Sequence, residues 1–170
     1  MNYFELFELP VQFSVDKARL KKKFYELSRS HHPDYFAQQE GHLQEQALDK
    51  SAAINKAYKI LGNQDATIKY VLELKGLLTE NEKYNLPPLF LMEMMELNER
   101  LAEAQPDASE RASLLQDVMQ TEAGLYQPVK HLIEGYNDDT ATVEDLEKIK
   151  DYYFKKKYLE RLKQLLVEKS

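Results

Sequence analysis

The chain has 170 residues, 43% hydrophobic and 31% charged, a balance that suits a folded soluble protein and excludes a disordered one. It holds no cysteine, which excludes disulfides, a thiolate zinc site, a cysteine nucleophile and a thiolate-held iron–sulfur cluster. The net charge of −6 is uneven: residues 17–31 carry Lys17, Arg19, Lys21, Lys22, Lys23 and Arg29 against Glu26 alone, a local +5, and such a patch on an acidic protein argues against general nucleic-acid affinity and for a local acidic partner.

In chain order, residues 2–9 predict a short helix or turn of aromatic and leucine side chains, closed by Pro10. Met1 to Leu6 lack the basic-then-apolar pattern of a signal peptide, and no stretch approaches the roughly 18 apolar residues of a membrane span. A cytoplasmic protein without membrane association is the expectation. Ser14 and Asp16 are both plausible N-caps for a helix running to about His31. Leu20, Phe24, Leu27 and His31 make its apolar face, and Arg19, Lys22, Glu26 and Arg29 recur on the opposite side.

That helix leads into His31-His32-Pro33-Asp34-Tyr35-Phe36. Pro33 lacks a backbone N–H and biases His32 away from the α region, so the helix stops there. Asp34 can accept a local backbone hydrogen bond and hold a turn. Three readings stand at this point. One is a solvated interhelical turn; a second is a metal or acid–base site using His32 and Asp34, for which no third partner sits nearby in sequence. The third is a docking element fed by the basic stripe.

A polar loop over 35–43 containing Gly41 follows, then a helix from about Leu43 to Leu61 with Ala47, Ser51, Ile54, Tyr58 and Leu61 on one face and Gly62 as its stop. The two long helices should pack as an antiparallel hairpin. Asp65 then caps a short helix carrying Ile68, Val71, Leu72 and Leu74, ended by Gly76. A short aromatic helix, a basic helix, a His-Pro-Asp turn and a second long helix ending Ala57-Tyr58-Lys59-Ile60-Leu61 resemble, in this order and spacing, the J domain of DnaJ-type co-chaperones.

Residues 77–87 read as a linker, with Leu77, Leu78 and Leu86 flanking its polar part so that it can pack. The second half is helical throughout. A helix at about 88–104 has Phe90, Met94, Leu97 and Leu101 on one face. The next, from Ser109 to about Tyr136, is expected to face Ala112, Leu115, Met119, Leu125, Val129, Leu132 and Tyr136 inward and to kink at Pro128. Thr142-Val143-Glu144-Asp145 resembles a capping box opening a last helix to about Glu168 through Leu146, Ile149, Tyr153, Leu159, Leu162 and Leu166. The fold expected is all-α, with a J domain at 1–76, the linker at 77–87 and an antiparallel three-helix bundle at 88–170.

The helix at 88–104 carries apolar residues that its core face does not need. Leu91, Met92 and Met95 lie about 90–190° from that face, beside Glu96, Glu99 and Glu103. Either they wrap into a wide core or touch the first domain, or they form an exposed Leu/Met patch with an acidic rim, a composition that suits an adaptable protein interface. The run Phe90-Leu91-Met92-Glu93-Met94-Met95-Glu96-Leu97-Asn98-Glu99, the opening Asn2-Tyr3-Phe4-Glu5-Leu6-Phe7, the segment Tyr70-Val71-Leu72-Glu73-Leu74-Lys75-Gly76 and the total length resemble the HscB family, J-type co-chaperones of iron–sulfur cluster biogenesis.

The resemblance implies that the J domain stimulates the ATPase of the DnaK-type chaperone HscA, and that the bundle binds the scaffold protein IscU and delivers it. On that basis His32, Pro33 and Asp34 match the ATPase-stimulating motif, with Arg19, Lys22 and Arg29 as docking stripe. Leu91, Met92, Met95, Glu96, Glu99 and Glu103 match the scaffold-binding face, and among the crowded Tyr152, Tyr153 and Phe154 the last-helix aromatic is assigned to Tyr152. Two departures bear on docking strength: His31 stands where many J domains have tyrosine, and Ser28 and Ser30 thin the stripe. The implied protein is an adaptor, not an enzyme, with no cofactor and no metal. Two alternatives remain: a generic J protein for unfolded clients, disfavoured by the lack of a glycine-rich linker and a cysteine zinc motif, and a hydrolase or metal enzyme built on His31, His32 and Asp34.

Overall fold

A computed structural model describes residues 1–36, 41–104 and 107–168, with the side chains of Tyr35 and Phe36 excepted. Residues 37–40, the middle of the expected polar loop, lie outside the described residues. Every regular element among those described is helical. The chain forms two compact units: Met1–Leu74 with Tyr136–Thr140, and Lys75–Gly135 with Ala141–Ser170.

In the first unit, α1 (Tyr3–Leu6) is closed by a reciprocal cap. The Asn2 side chain accepts the Glu5 N–H at 2.8 Å, and the Glu5 carboxylate accepts the Asn2 N–H at 3.1 Å. Phe4, Phe7 and Phe13 are fully buried around it. Of the two candidate caps for α2 (Lys17–His31), Asp16 is the one used, accepting the Arg19 N–H at 2.9 Å. After a 3₁₀ turn at Pro33–Phe36, α3 (Gly41–Leu61) begins two residues before the expected start. The hairpin is seamed by Phe24 stacked on Tyr58 at 4.1 Å and filled by Leu20, Ala47, Ile54, Ala57 and Leu61.

The next helix, α4 (Gln64–Leu74), closes this core with Ile68, Val71 and Leu72. Its cap is Asn63, not Asp65: the Asn63 side chain accepts the Ala66 N–H at 2.9 Å. Asn63 wins because it stands one residue before the first helical position, where a side-chain oxygen can reach back to the first free N–H groups; Asp65 is already inside the first turn. Tyr136, expected on an inward bundle face, groups with the first unit, where its ring meets the edge of buried Phe13 at 4.7 Å.

In the second unit, residues 77–87 are strapped to the last helix. Glu82 pairs with Lys150 at 2.7 Å, Tyr84 donates its hydroxyl proton to Asp151 at 2.8 Å, and the Tyr84 ring stacks on Phe154 at 4.5 Å. The hydrogen bond from Lys150 holds the Glu82 carboxyl below the usual carboxylate range, against the opposing effect of burial. A depressed carboxylate contributes stability that is complete above its unfolded pKa and is lost as pH falls through the folded value. Glu82→Gln should therefore flatten the acid limb of the thermal stability profile while leaving its neutral shape little changed; identical acid limbs in both proteins would remove the pair from the account.

The bundle comprises α5 (Pro88–Ala104), α6 (Ala108–Tyr126) and α8 (Val143–Glu168), with a 3₁₀ turn at Gln127–Val129 and short α7 (Lys130–Glu134) where Pro128 interrupts the second member. Thr142 and Asp145 cap α8 reciprocally: the Asp145 N–H reaches the Thr142 hydroxyl at 3.1 Å and the Thr142 N–H reaches the Asp145 carboxylate at 3.2 Å. Phe90, Met94, Leu97 and Leu101 pack against Leu114, Val118, Leu159, Leu162 and Leu166.

Met94 is completely buried at its centre. Met94→Ala should cost about 2–5 kcal/mol of stability, measurable by denaturant unfolding of the full chain.

Inward assignments on two helices need correction. On α6 the buried residues are Leu114 and Val118, while Ala112 and Met119 are exposed. Leu114-Leu115 and Val118-Met119 are adjacent apolar pairs, so the sequence permits two helical phases; the ion pairs Arg100–Asp117 and Lys163–Glu122 accompany the one observed. On α8, Tyr152 is buried at 4% exposure and Tyr153 only half-buried, the reverse of the expected order. Tyr152 lies seven residues before Leu159, nearly two whole turns, whereas the six residues from Tyr153 leave it about 120° out of phase.

Candidate functional site

The first candidate surface is the end of the hairpin. Pro33 forces His32 out of the helix, and His32 adopts extended φ −65°, ψ 133°. This turns its imidazole back over the corner, where Nδ1 accepts the Asp34 N–H at 3.2 Å. Nδ1 also lies 3.5 Å from the Asp34 carboxylate. The His32 side chain is about half exposed at 52% and that of Asp34 is 90% exposed. The corner is thus rigid in backbone, polar and open.

Arg19, Lys22 and Arg29 are all exposed on α2. Lys23, by contrast, is engaged locally, pairing with Glu8 at 3.0 Å and Glu26 at 3.9 Å, so it contributes less free positive charge than the sequence count suggests. His31 is half-buried, in keeping with its place on the apolar face. Among the described residues no group of three or more His, Asp or Glu side chains is placed to hold a metal ion, and no helix is long and apolar enough to cross a membrane.

The second surface is on α5. Leu91 is 40% exposed and Met92 and Met95 are each 61% exposed, while Phe90 and Met94 beside them are buried. Glu96, Glu99 and Glu103 are exposed along the same face. The wide-core alternative therefore does not describe these residues. Leu89, which the sequence reading passed over, is 80% exposed and widens the apolar surface at the helix start.

Tyr152 is not on this surface. Its ring tilts against Tyr126 at 5.6 Å, and it helps line a cleft of about 600 Å³ with Tyr84, Leu125, Pro128, Asp151 and Lys155. Tyr153 and Phe154 are half-buried, and Phe154 is taken up by its stack on Tyr84.

A helical hairpin with an open His-Pro-Asp corner after a basic helix, on a chain that also carries a three-helix bundle, defines a J-type co-chaperone. Residues 86–167 match the family model described as the HSCB C-terminal oligomerisation domain. The chain is 34% identical over 164 residues to the co-chaperone protein HscB homologue of Vibrio parahaemolyticus, covering 96% of this chain and 93% of that one. Over 116 residues it is 43% identical to the Vibrio vulnificus homologue, covering 68% and 67%. Among solved structures it is similar to the chaperone HscB from Vibrio cholerae (TM-score 0.76, 29% identity, 99% and 96% covered) and to the human co-chaperone protein HscB (TM-score 0.83, 28% identity, 99% and 82% covered). The chain belongs to the HscB family of co-chaperones.

Proposed function

We propose that this protein stimulates the ATPase of an HscA-type chaperone through its His-Pro-Asp corner and delivers an IscU-type iron–sulfur scaffold to it from the bundle. It acts in the cytoplasm as an adaptor without chemistry of its own. The observation that carries this reading is the exposed Leu91/Met92/Met95 patch on one unit of a chain whose other unit presents an open His32-Pro33-Asp34 corner.

Arg19, Lys22 and Arg29 meet an acidic surface on the chaperone, and their charge supplies on-rate and orientation. The corner then engages. To raise the hydrolysis rate it must bind the stimulated chaperone more tightly than the resting one, since a ligand shifts an equilibrium only by its differential affinity. The α5 patch meanwhile holds the scaffold, so one chain raises the scaffold's effective concentration at the chaperone. Pro33 contributes by keeping the corner rigid, which spares the cost of ordering it on binding.

The decisive measurement is the steady-state ATPase rate of the chaperone alone, with this protein, and with this protein plus scaffold. Stimulation by the protein, increased further by the scaffold, is expected. A rate unchanged by both overturns the reading.

A further inference from the structure

The cleft beside Tyr152 lies wholly within the second unit, and the lengths of the helices there explain why it exists. A helix advances about 1.5 Å per residue, so the 26 residues of α8 run about 14 Å further than the 17 of α5. Phe90, in the first turn of α5, meets α8 at Lys155 and Tyr158, with the Lys155 Nζ 5.7 Å and the Tyr158 ring 6.2 Å from its own ring centre. The first half of α8 therefore has no α5 beside it. Residues 82–84 run there instead, without helix, and hold α8 through Lys150 and Asp151. Such a segment fills less of the groove than a helix does. What remains open is the cleft of about 600 Å³, a volume that suits a small molecule.

Its lining is of two kinds. Leu125, Pro128 and Val129 make an apolar floor, with Tyr84 and Tyr152 as aromatic walls. The α8 side is charged, and its charges do not balance. Lys148 pairs with Glu144 at 3.7 Å and Lys155 with Asp151 at 2.6 Å, which leaves Glu147 without an ion pair among the described residues. Lys150, three residues on, is taken by Glu82 at 2.7 Å. Burial, the hydrogen bond to Asp151 and the charges of Asp151, Glu147 and Glu82 raise the Tyr84 hydroxyl above its ordinary pKa, in keeping with a negative field along this wall.

Gly124 is a separate sign. It lines the cleft from inside α6, where glycine weakens a helix relative to alanine. A Cβ built there meets nothing within 4 Å, so no neighbouring group demands a glycine. What the missing side chain does provide is open backbone at the cleft wall.

We propose that this cleft binds a small organic cation, an ammonium or guanidinium group on a flat apolar body, with the body on Leu125, Pro128 and Val129 and the charge at the Glu147 carboxylate. The aromatic walls suit both parts of such a ligand, since ring faces attract cations as well as apolar groups. An anion would meet Glu147 unscreened by any paired cation, and a neutral ligand would leave that charge unused.

The test titrates the full ¹⁵N-labelled chain with 2-phenylethylammonium, and in parallel with 2-phenylethanol, its neutral counterpart. Amide shifts are followed by NMR. The Gly124 signal is assigned by its loss in Gly124→Ala, which should melt no lower than the natural chain because the new methyl group strikes nothing. Saturable shifts are expected at Gly124, Leu125 and Val129, with the ammonium binding about fivefold more tightly than the alcohol, as one partly exposed charge pair provides. Glu147→Gln, an exposed substitution, should remove that difference and leave the alcohol's affinity unchanged. Gly124→Leu, which places a side chain at the wall, should abolish binding of both probes with no lower melting temperature. Equal affinities for the two probes in the natural chain overturn the cationic assignment. Cleft amides that do not shift up to the solubility limit of the ammonium, or shifts that persist unchanged in both Glu147→Gln and Gly124→Leu, overturn the site.

Discussion

A His32→Gln chain is expected to fold, to bind the scaffold normally and to leave the chaperone's ATPase at its basal rate. The structure separates these outcomes. The His32 side chain is 52% exposed, and its imidazole is turned onto the Asp34 N–H at the corner itself. A surface substitution of this kind usually changes stability by no more than about 0.5 kcal/mol. Glutamine keeps a polar side chain of similar reach but loses the flat imidazole that Pro33 and Asp34 hold in place. If the corner binds the stimulated chaperone preferentially, that preference is what the substitution removes. Circular dichroism and a thermal melt should overlay those of the natural chain. Full stimulation by the substituted protein would defeat the docking role assigned to the corner.

Replacing Leu91, Met92 and Met95 together with alanine should leave the fold intact and weaken scaffold binding by several kcal/mol in sum, at about 1–3 kcal/mol for each buried anchor. That corresponds to a rise in Kd of about a hundredfold or more. The exposures of 40%, 61% and 61% make this prediction sharp. Side chains this open contribute little to the folded chain by itself, so their apolar area is removed from water chiefly when a partner covers it. The contrast is Met94, one residue away and completely buried, whose truncation should cost the fold instead. A triple variant that unfolds would reassign the patch to the core. The triple variant should still stimulate the chaperone's basal ATPase through His32, while losing the further stimulation that the scaffold provides.

Much of the local structure of both units was legible without coordinates because its signals are local. Pro33 ends α2 through its own ring geometry, Asp16 caps it through a contact three residues long, and Thr142 and Asp145 cap α8 in the same way. The choice between Ser14 and Asp16, and the displacement of Asp65 by Asn63, turn on which residue stands at the helix boundary. Boundaries are set by where the chain turns, and neighbouring cap-formers leave that open.

Helical phase was the weaker inference. Adjacent apolar pairs such as Leu114-Leu115 and Tyr152-Tyr153 satisfy the period of the helix in either of two ways. Only the partners across the bundle choose between them.

What the sequence determined by itself was the helical class, the rigid His32-Pro33-Asp34 corner at the end of a basic helix, and the surplus of apolar residues on the helix at 88–104. Each of these follows from residue type and spacing along one element. What tertiary structure decided was which aromatic of α8 is inside, and where the α5 face borders its neighbours. Tyr152 is buried because Tyr126 and the interior of the bundle receive it. Tyr158 lies at the seam because Asn98 and Phe90, on another helix 60 and 68 residues earlier, meet its two ends. Such contacts join residues distant in the chain, and periodicity within one helix carries no information about the helix packed beside it.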